Sequence, residues 1–266
     1  MSRLVQNRSN ETVGVPALAK GPFLSRLSAR SALYVDLGHL LDAAQNVGPT
    51  PDYRGLVIDG NCLAKSSEAA RQKTWKELKT RYILNPENAL FASFIVEWYR
   101  CTSEQERGLT AYCLLALNDK LVADLALHYL FPRLRRAPAD LRVDDILAFF
   151  TAAAGAHPEV NGWSESTKLA VAQKYTASVR DFGLATGTVR KATVRPALYG
   201  APTRLLIRVL RLVGLQELEI LSSPVFKLLA LDIDEIVAAL SELNRHGALR
   251  FRIQGDVVEL DLREEA

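Results

Sequence analysis

No apolar run in this 266-residue sequence approaches the ~20 residues that a membrane span needs. Ala111–Leu117 is broken by Asn118, Asp119 and Lys120, and Leu121–Phe131 contains Asp124 and His128. The start, Met1-Ser-Arg-Leu-Val-Gln-Asn-Arg, has no apolar core and no cleavage-like site, so no signal peptide is expected. Cysteine is scarce: Cys62, Cys101 and Cys113 are odd in number and lack metal-ligand spacing, as expected of reduced, mostly buried thiols in a cytoplasmic protein. Neither sign of charge dominates. Lys and Arg number 33 against 30 Asp and Glu, a net of +3, so a nucleic-acid role has to rest on where the charges sit. Catalytic signatures are also missing. There is no GxxxxGK[ST] or GxGxxG to cradle phosphates and no GxSxG to hold a serine nucleophile. His39, His128, His157 and His246 are isolated, with no HExxH, so no cofactor or metal is expected.

What is there is an ordinary globular composition, 48% apolar and 24% charged. A chain of this length buries about 75% of its unfolded surface, enough for a core without disulfides. Residues 1–28 are polar, with Gly14, Pro16, Gly21 and Pro22, and read as a flexible arm. From 29 to 155 the apolar period is helical. Leu33, Val35, Leu37, Leu40 and Leu41 mark a first helix; Ser66 is placed to cap a second, through Tyr82. Pro86 suits the first turn of a third, followed by Ser103–Leu117, Lys120–Phe131 (stopped near Pro132) and Val143–Ala153. Short connections predict a compact helical bundle with a helix-turn-helix-like segment.

Gly155–Gly162 is the expected boundary to a second region, 156–266. There Ser164 is expected to cap a helix through Phe182, stopped by Gly183. Thr188–Val194 alternates like a short strand. Asp232–His246 reads as a helix closed by Gly247, and Leu249, Phe251 and Ile253 reverse at Gly255-Asp256 into Val257–Leu262 as a β-hairpin. The predicted fold class is mainly α, a helical bundle followed by a winged-helix-like region with a small C-terminal hairpin.

The most informative segment is Lys65–Arg81, with six basic residues against two acidic ones. On a helix, Trp75, Leu78 and Tyr82 share one face while Lys73, Lys76 and Lys79 share the opposite one. Such a face suits a phosphate backbone, with Arg71 beside it and the serines and Gln72 near its start reaching bases or phosphates. The plain alternative is a solvated face with Glu77 supplying local salt bridges. A second concentration runs from Arg180 to Arg211, with seven basic residues against Asp181 alone. Arg190 and Lys191 fall on a strand or wing after the 164–182 helix, with Thr167, Lys168 and Lys174 as further candidates on that helix. Arg204, Arg208 and Arg211 form one stripe on an otherwise apolar helix. Their alternative is packing against carboxylates. From Asp232 to the end nine acids face four bases, so the terminal hairpin is a poor phosphate binder and suits the body or a protein partner.

One metal-nuclease outline is present: Pro51-Asp52 followed by Glu77-Leu-Lys79, or PD…ExK. That chemistry needs the ExK on a strand beside the aspartate, whereas here it falls within an amphipathic helix.

The run Asn61–Tyr82, then Leu114–Phe131 with Asn118-Asp-Lys-Leu, then Trp163-Ser-Glu-Ser-Thr-Lys-Leu-Ala with Val179-Arg-Asp-Phe-Gly183, resembles the BrxA family of the bacterial BREX phage-defence systems. The likeness extends over about residues 30 to 262 in the order and spacing of elements, on helical signatures and not on catalytic fingerprints. It implies a mostly helical, non-enzymatic, double-stranded DNA-binding protein that works with a methyltransferase and other defence proteins, and it supplies no catalytic residues. The rival is an interaction scaffold without direct DNA contact, using the acidic hairpin and the exposed-aromatic candidates Trp98 and Tyr99.

Overall fold

The computed structural model describes residues 19–48, 50–255 and 257–262, and its architecture is mainly α with two small antiparallel hairpins. The helices are α1 (Tyr34–Gln45), α2 (Tyr53–Ile58), α3 (Glu68–Tyr82), α4 (Ala89–Trp98), α5 (Glu104–Asn118), α6 (Lys120–Asp124), α7 (Phe131–Arg135), α8 (Val143–Ala153), α9 (Glu165–Asp181), α10 (Gly200–Leu212), α11 (Glu217–Leu221) and α12 (Ile233–Arg245). The strands are β1 (Ala185–Thr186), β2 (Ala192–Thr193), β3 (Arg250–Gln254) and β4 (Val257–Asp261).

The apolar run too short for a membrane is the axis of the bundle. Helix α5 starts at Ser103, whose hydroxyl accepts the Glu106 N–H, and is buried from Gly108 to Leu117 against α3, α4, α6 and α10. No helix among the described residues is long and apolar enough to cross a membrane. Gly108 is required by proximity, since a Cβ there would lie 2.6 Å from the Phe182 carbonyl oxygen. That contact seats the end of α9 on α5.

One cluster of buried residues takes in side chains from Phe23 to Leu262, on both sides of residue 155. At its inner end the segment expected as an arm through residue 28 contributes to that core; residues 1–18 lie outside the described residues. Phe23 and Leu27 are buried, Phe23 stacks on His157 with ring centroids 3.6 Å apart, and its N–H donates to Glu159. A 3₁₀ turn, Ser25–Ser28, then lies along α9. Burial of two aromatic or aliphatic side chains contributes about 3–6 kcal/mol, which a polar reading of that segment overlooks.

Two prolines act differently from the expectation. Pro86 precedes α4, whose cap is Asn88, accepting from the Leu90 and Phe91 N–H groups. Pro132 does not end its helix, because a π-helical turn, Leu125–Leu130, precedes it and loosens the ladder that the proline ring would otherwise strain. Trp98, proposed as exposed, is buried, and the Tyr99 hydroxyl donates to the Leu41 carbonyl at 2.9 Å. All three cysteines are free thiols; burial pushes the Cys101 thiol up to about 12 and Cys113 higher still.

The C-terminal elements are anchored by charge as well as by the core. Asp232 caps α12 in a capping box with Glu235, and Arg135 donates to both carboxylates while Arg195 donates to Glu235 at 2.8 Å. The Arg135 hydrogen bond, with help from Arg195, holds the Glu235 carboxyl at about 2, below its ordinary 4.5. A depressed carboxyl stabilises the fold above its unfolded value, and that stabilisation disappears as pH falls from about 4.5 towards 2. We expect Glu235→Gln to melt below the wild type at pH 7 and the two melting temperatures to converge near pH 2. Parallel curves down to pH 2 would contradict this role.

Candidate nucleic-acid interface

Helix α3 begins one residue later than expected, capped by Ser67, whose hydroxyl accepts the Ala70 N–H; Glu68 complements the first turn. Leu78 and Tyr82 are buried, and the Tyr82 hydroxyl donates to the Ala32 carbonyl. Of the six basic residues in this segment, two are paired and a third is half-buried. Lys65 pairs with Asp36 at 2.7 Å. Arg81 is buried and donates to the carbonyls of Arg26 and Arg30, and burial pushes its guanidinium pKa down against the pull of Glu77. Arg71 is half-buried, and its Nε is shielded from water without a hydrogen-bond partner among the described residues.

Lys73, Lys76 and Lys79 remain exposed on one face. Glu77, the residue expected to neutralise them, points the other way, 3.4 Å from Arg81 and 3.8 Å from Arg30. Among the described residues, no carboxylate pairs with any of the three lysines. Their like charges at i, i+3 and i+6 therefore repel, at a cost of a few tenths of a kcal/mol per pair that an anion would relieve.

A second cationic edge lies on α9 and the hairpin after it. Ser164 caps α9 through the Thr167 N–H and also contacts the Thr167 hydroxyl at 2.9 Å, and Lys168 pairs with Glu165 at 2.8 Å. Thr167 and Lys168 are thus engaged locally. Lys174 is exposed and faces no carboxylate among the described residues. The expected single strand over 188–194 is corrected: β2 is short, pairs antiparallel with β1, and 187–191 form the turn between them. Gly187 (φ +90°) makes that turn possible, since a Cβ there would fall 2.0 Å from the Arg190 carbonyl oxygen. Val189 and Arg190 project from the tip, while Lys191 Nζ donates to the Thr188 carbonyl at 3.0 Å. Asp140, just ahead of α8, bridges Ala192 on the other side of β2. The chain order is therefore edge residue, α8, α9, β1, β2, with β2 central in a minimal three-stranded arrangement.

The arginine stripe on α10 is directed inward. Arg204 Nε donates to Glu97 Oε2 at 2.7 Å, Arg208 Nε to Glu97 Oε1 at 2.8 Å, and Arg211 to the Leu260 carbonyl. Glu97 has no exposed side-chain surface. These arginines tie α4 and β4 to α10, which is the packing alternative: Arg204 and Arg208 are committed to the buried Glu97 carboxylate, while Arg211 bonds a carbonyl and stays about a third exposed.

In the nuclease outline, Glu77-Leu-Lys79 lies on α3, a helix, and not on a strand. Asp52 caps α2 through the Gly55 N–H at 3.0 Å and shares a groove with Lys79, but Glu77 is taken up by Arg30 and Arg81. Among the described residues, no three His, Cys, Asp or Glu side chains gather as a metal-ligand set.

Compared with known families, residues 21–208 match the family model described as BrxA, well over half of the chain. The match takes in both cationic edges and begins within the segment read as an arm. No curated protein matches the chain.

Proposed function

Since the chain belongs to the BrxA family, whose members are components of BREX phage-defence systems, we propose that it is the component that holds double-stranded DNA with little sequence preference. In this reading it supports phage restriction and host-DNA modification beside other defence proteins, including a methyltransferase, and carries out no chemistry itself. The observation that carries it is the row of Lys73, Lys76 and Lys79, left without counter-charge because Glu77 turns inward. Such a row neutralises phosphates without reading bases. The order α8, α9, β1, β2 with a bridge from Asp140 supports a second contact of winged-helix type, with α9 towards a groove and Arg190 on the wing.

Anisotropy of a labelled duplex of about 30 base pairs, titrated across a salt series, tests this. Five contacts (Lys73, Lys76, Lys79, Lys174 and Arg190), or six with Lys191, give a log K against log salt slope of about −4.5 to −5.5. Absence of binding at low salt would leave both edges as solvated surface. That result would favour the second reading, a protein-interaction scaffold. Leu218, Ile253 and Val257 are exposed apolar side chains beyond residue 208, on the acidic C-terminal elements.

A further inference from the structure

On the solvent side of α3, Trp75 is the residue that phosphate binding does not use. The three tryptophans are treated differently. Trp98 is buried against Phe94 and Tyr34, and Trp163 packs edge-on against Phe150 with centroids 5.7 Å apart. Trp75 is half-buried, with one side packed on the core, and unlike the other two tryptophans it has no aromatic neighbour among the described residues, so part of the indole faces solvent. It also stands on a ridge. With Lys79, one turn on, it separates two shallow open grooves. One is lined further by Gln72, Lys73, Lys76 and Thr80; the other by Asp52, Arg54, Leu84 and Asn85 among others. Arg54 is exposed and, like the lysines, pairs with no carboxylate among the described residues. Asp52, the one acid in the grooves, is held by the α2 cap.

A half-exposed indole between unneutralised cations, with amides from Gln72 and Asn85 within the same grooves, is more than a rigid duplex backbone uses. Bases in a duplex are stacked on one another and present no π-face. An unpaired base does present one, and an aromatic platform flanked by lysines and an arginine is how unpaired strands are held. We propose that the Trp75 ridge takes an unpaired segment of DNA, one base stacking on the indole while Lys73, Lys76, Lys79 and Arg54 hold the flanking phosphates. This rests on the reading of the α3 face as a nucleic-acid surface and names the form of nucleic acid that it prefers.

The test compares an intact 30-base-pair duplex with the same duplex carrying a central gap of six unpaired nucleotides, for wild type, Trp75→Ala and Trp75→Phe. A single-stranded RNA of the gap sequence separates the two kinds of unpaired strand. The expected result is about tenfold tighter binding of the gapped duplex by wild type and by Trp75→Phe, and no such preference in Trp75→Ala, whose affinity for intact duplex is unchanged. In a Trp98→Phe/Trp163→Phe background, the Trp75 emission is quenched by the gapped duplex and not by the intact one. Equal affinity for both duplexes without quenching overturns this inference while leaving duplex binding in place. An equal loss for both in Trp75→Ala overturns it too, by making the indole a structural prop. Preference for the RNA alone overturns the assignment to DNA, and no binding to any of these overturns the reading of the α3 face itself.

Discussion

Replacing Lys73, Lys76 and Lys79 together by glutamate is expected to abolish duplex binding at physiological salt while leaving the helical circular dichroism and the melting temperature in place. The size of the effect follows from counterion release. Three lost phosphate contacts remove about 2.7 from the magnitude of the salt slope, and three carboxylates in their place repel the same backbone. At moderate salt this amounts to a loss of at least about 100-fold in affinity. The fold tolerates the change because the three side chains are exposed and make no ion pair among the described residues, so nothing in the core is disturbed. Three glutamates at 73, 76 and 79 repel one another about as the three lysines do, so stability stays within about 1 kcal/mol. Anisotropy of a labelled duplex, run beside a thermal melt, reads both quantities at once. Unchanged affinity with an intact melt would move the phosphate footprint off α3 and onto α9 and the Arg190 turn.

The same helix illustrates how far the sequence carries the argument. Its existence, its period and the lysine face were legible, because apolar spacing reports which side meets the core. The partners of the charges were not. Six basic residues look alike in the sequence, yet Lys65 is bound to Asp36 and Arg81 to carbonyls near residue 30, contacts set by tertiary packing. Phase places Trp75 beside Leu78 and Tyr82, and it does pack on the core; that grooves open beside it follows from the placement of α2 and the turn at Leu84, which phase does not report. The hairpin at Gly255 was legible because a two-residue turn between alternating strands is a local signal. The shorter hairpin of β1 and β2 looks like one strand in the sequence, since two paired residues on each side are too few to show a period. Its signal was Gly187, the residue that can turn there. The inner end of the N-terminal segment was not legible for a related reason: Phe23, Leu24 and Leu27 are too few to show a period, and the partners on α9 and at His157 lie more than 130 residues away in the chain.

Glu97→Ala is expected to destabilise the protein by about 3–5 kcal/mol, the cost of breaking a buried ion pair by removing one partner. Glu97 is wholly enclosed between α4 and α10, and its two oxygens are divided between Arg204 and Arg208, with Arg100 3.5 Å away. Arg204 faces no other carboxylate among the described residues and is itself buried, so alanine leaves a cation in an apolar seam with only the Ala248 carbonyl, at 3.3 Å, beside it. Against a total stability of about 5–15 kcal/mol, that loss is a large fraction. Urea unfolding should show a midpoint shifted down with an unchanged slope, and a loss below about 1 kcal/mol would contradict the assignment. A second variant separates charge from shape. Replacing Glu97 by leucine together with Arg204 and Arg208 by methionine removes charge from both sides of the seam and fills it with apolar atoms, and should recover most of the stability, as paired removal of buried ions commonly does. The consequence for function is equally specific. If the stripe is structural, the leucine–methionine variant retains wild-type affinity for DNA and its salt slope, while the three-lysine reversal loses both; a drop in slope by about 2 in the former would instead return Arg204 and Arg208 to the phosphate footprint.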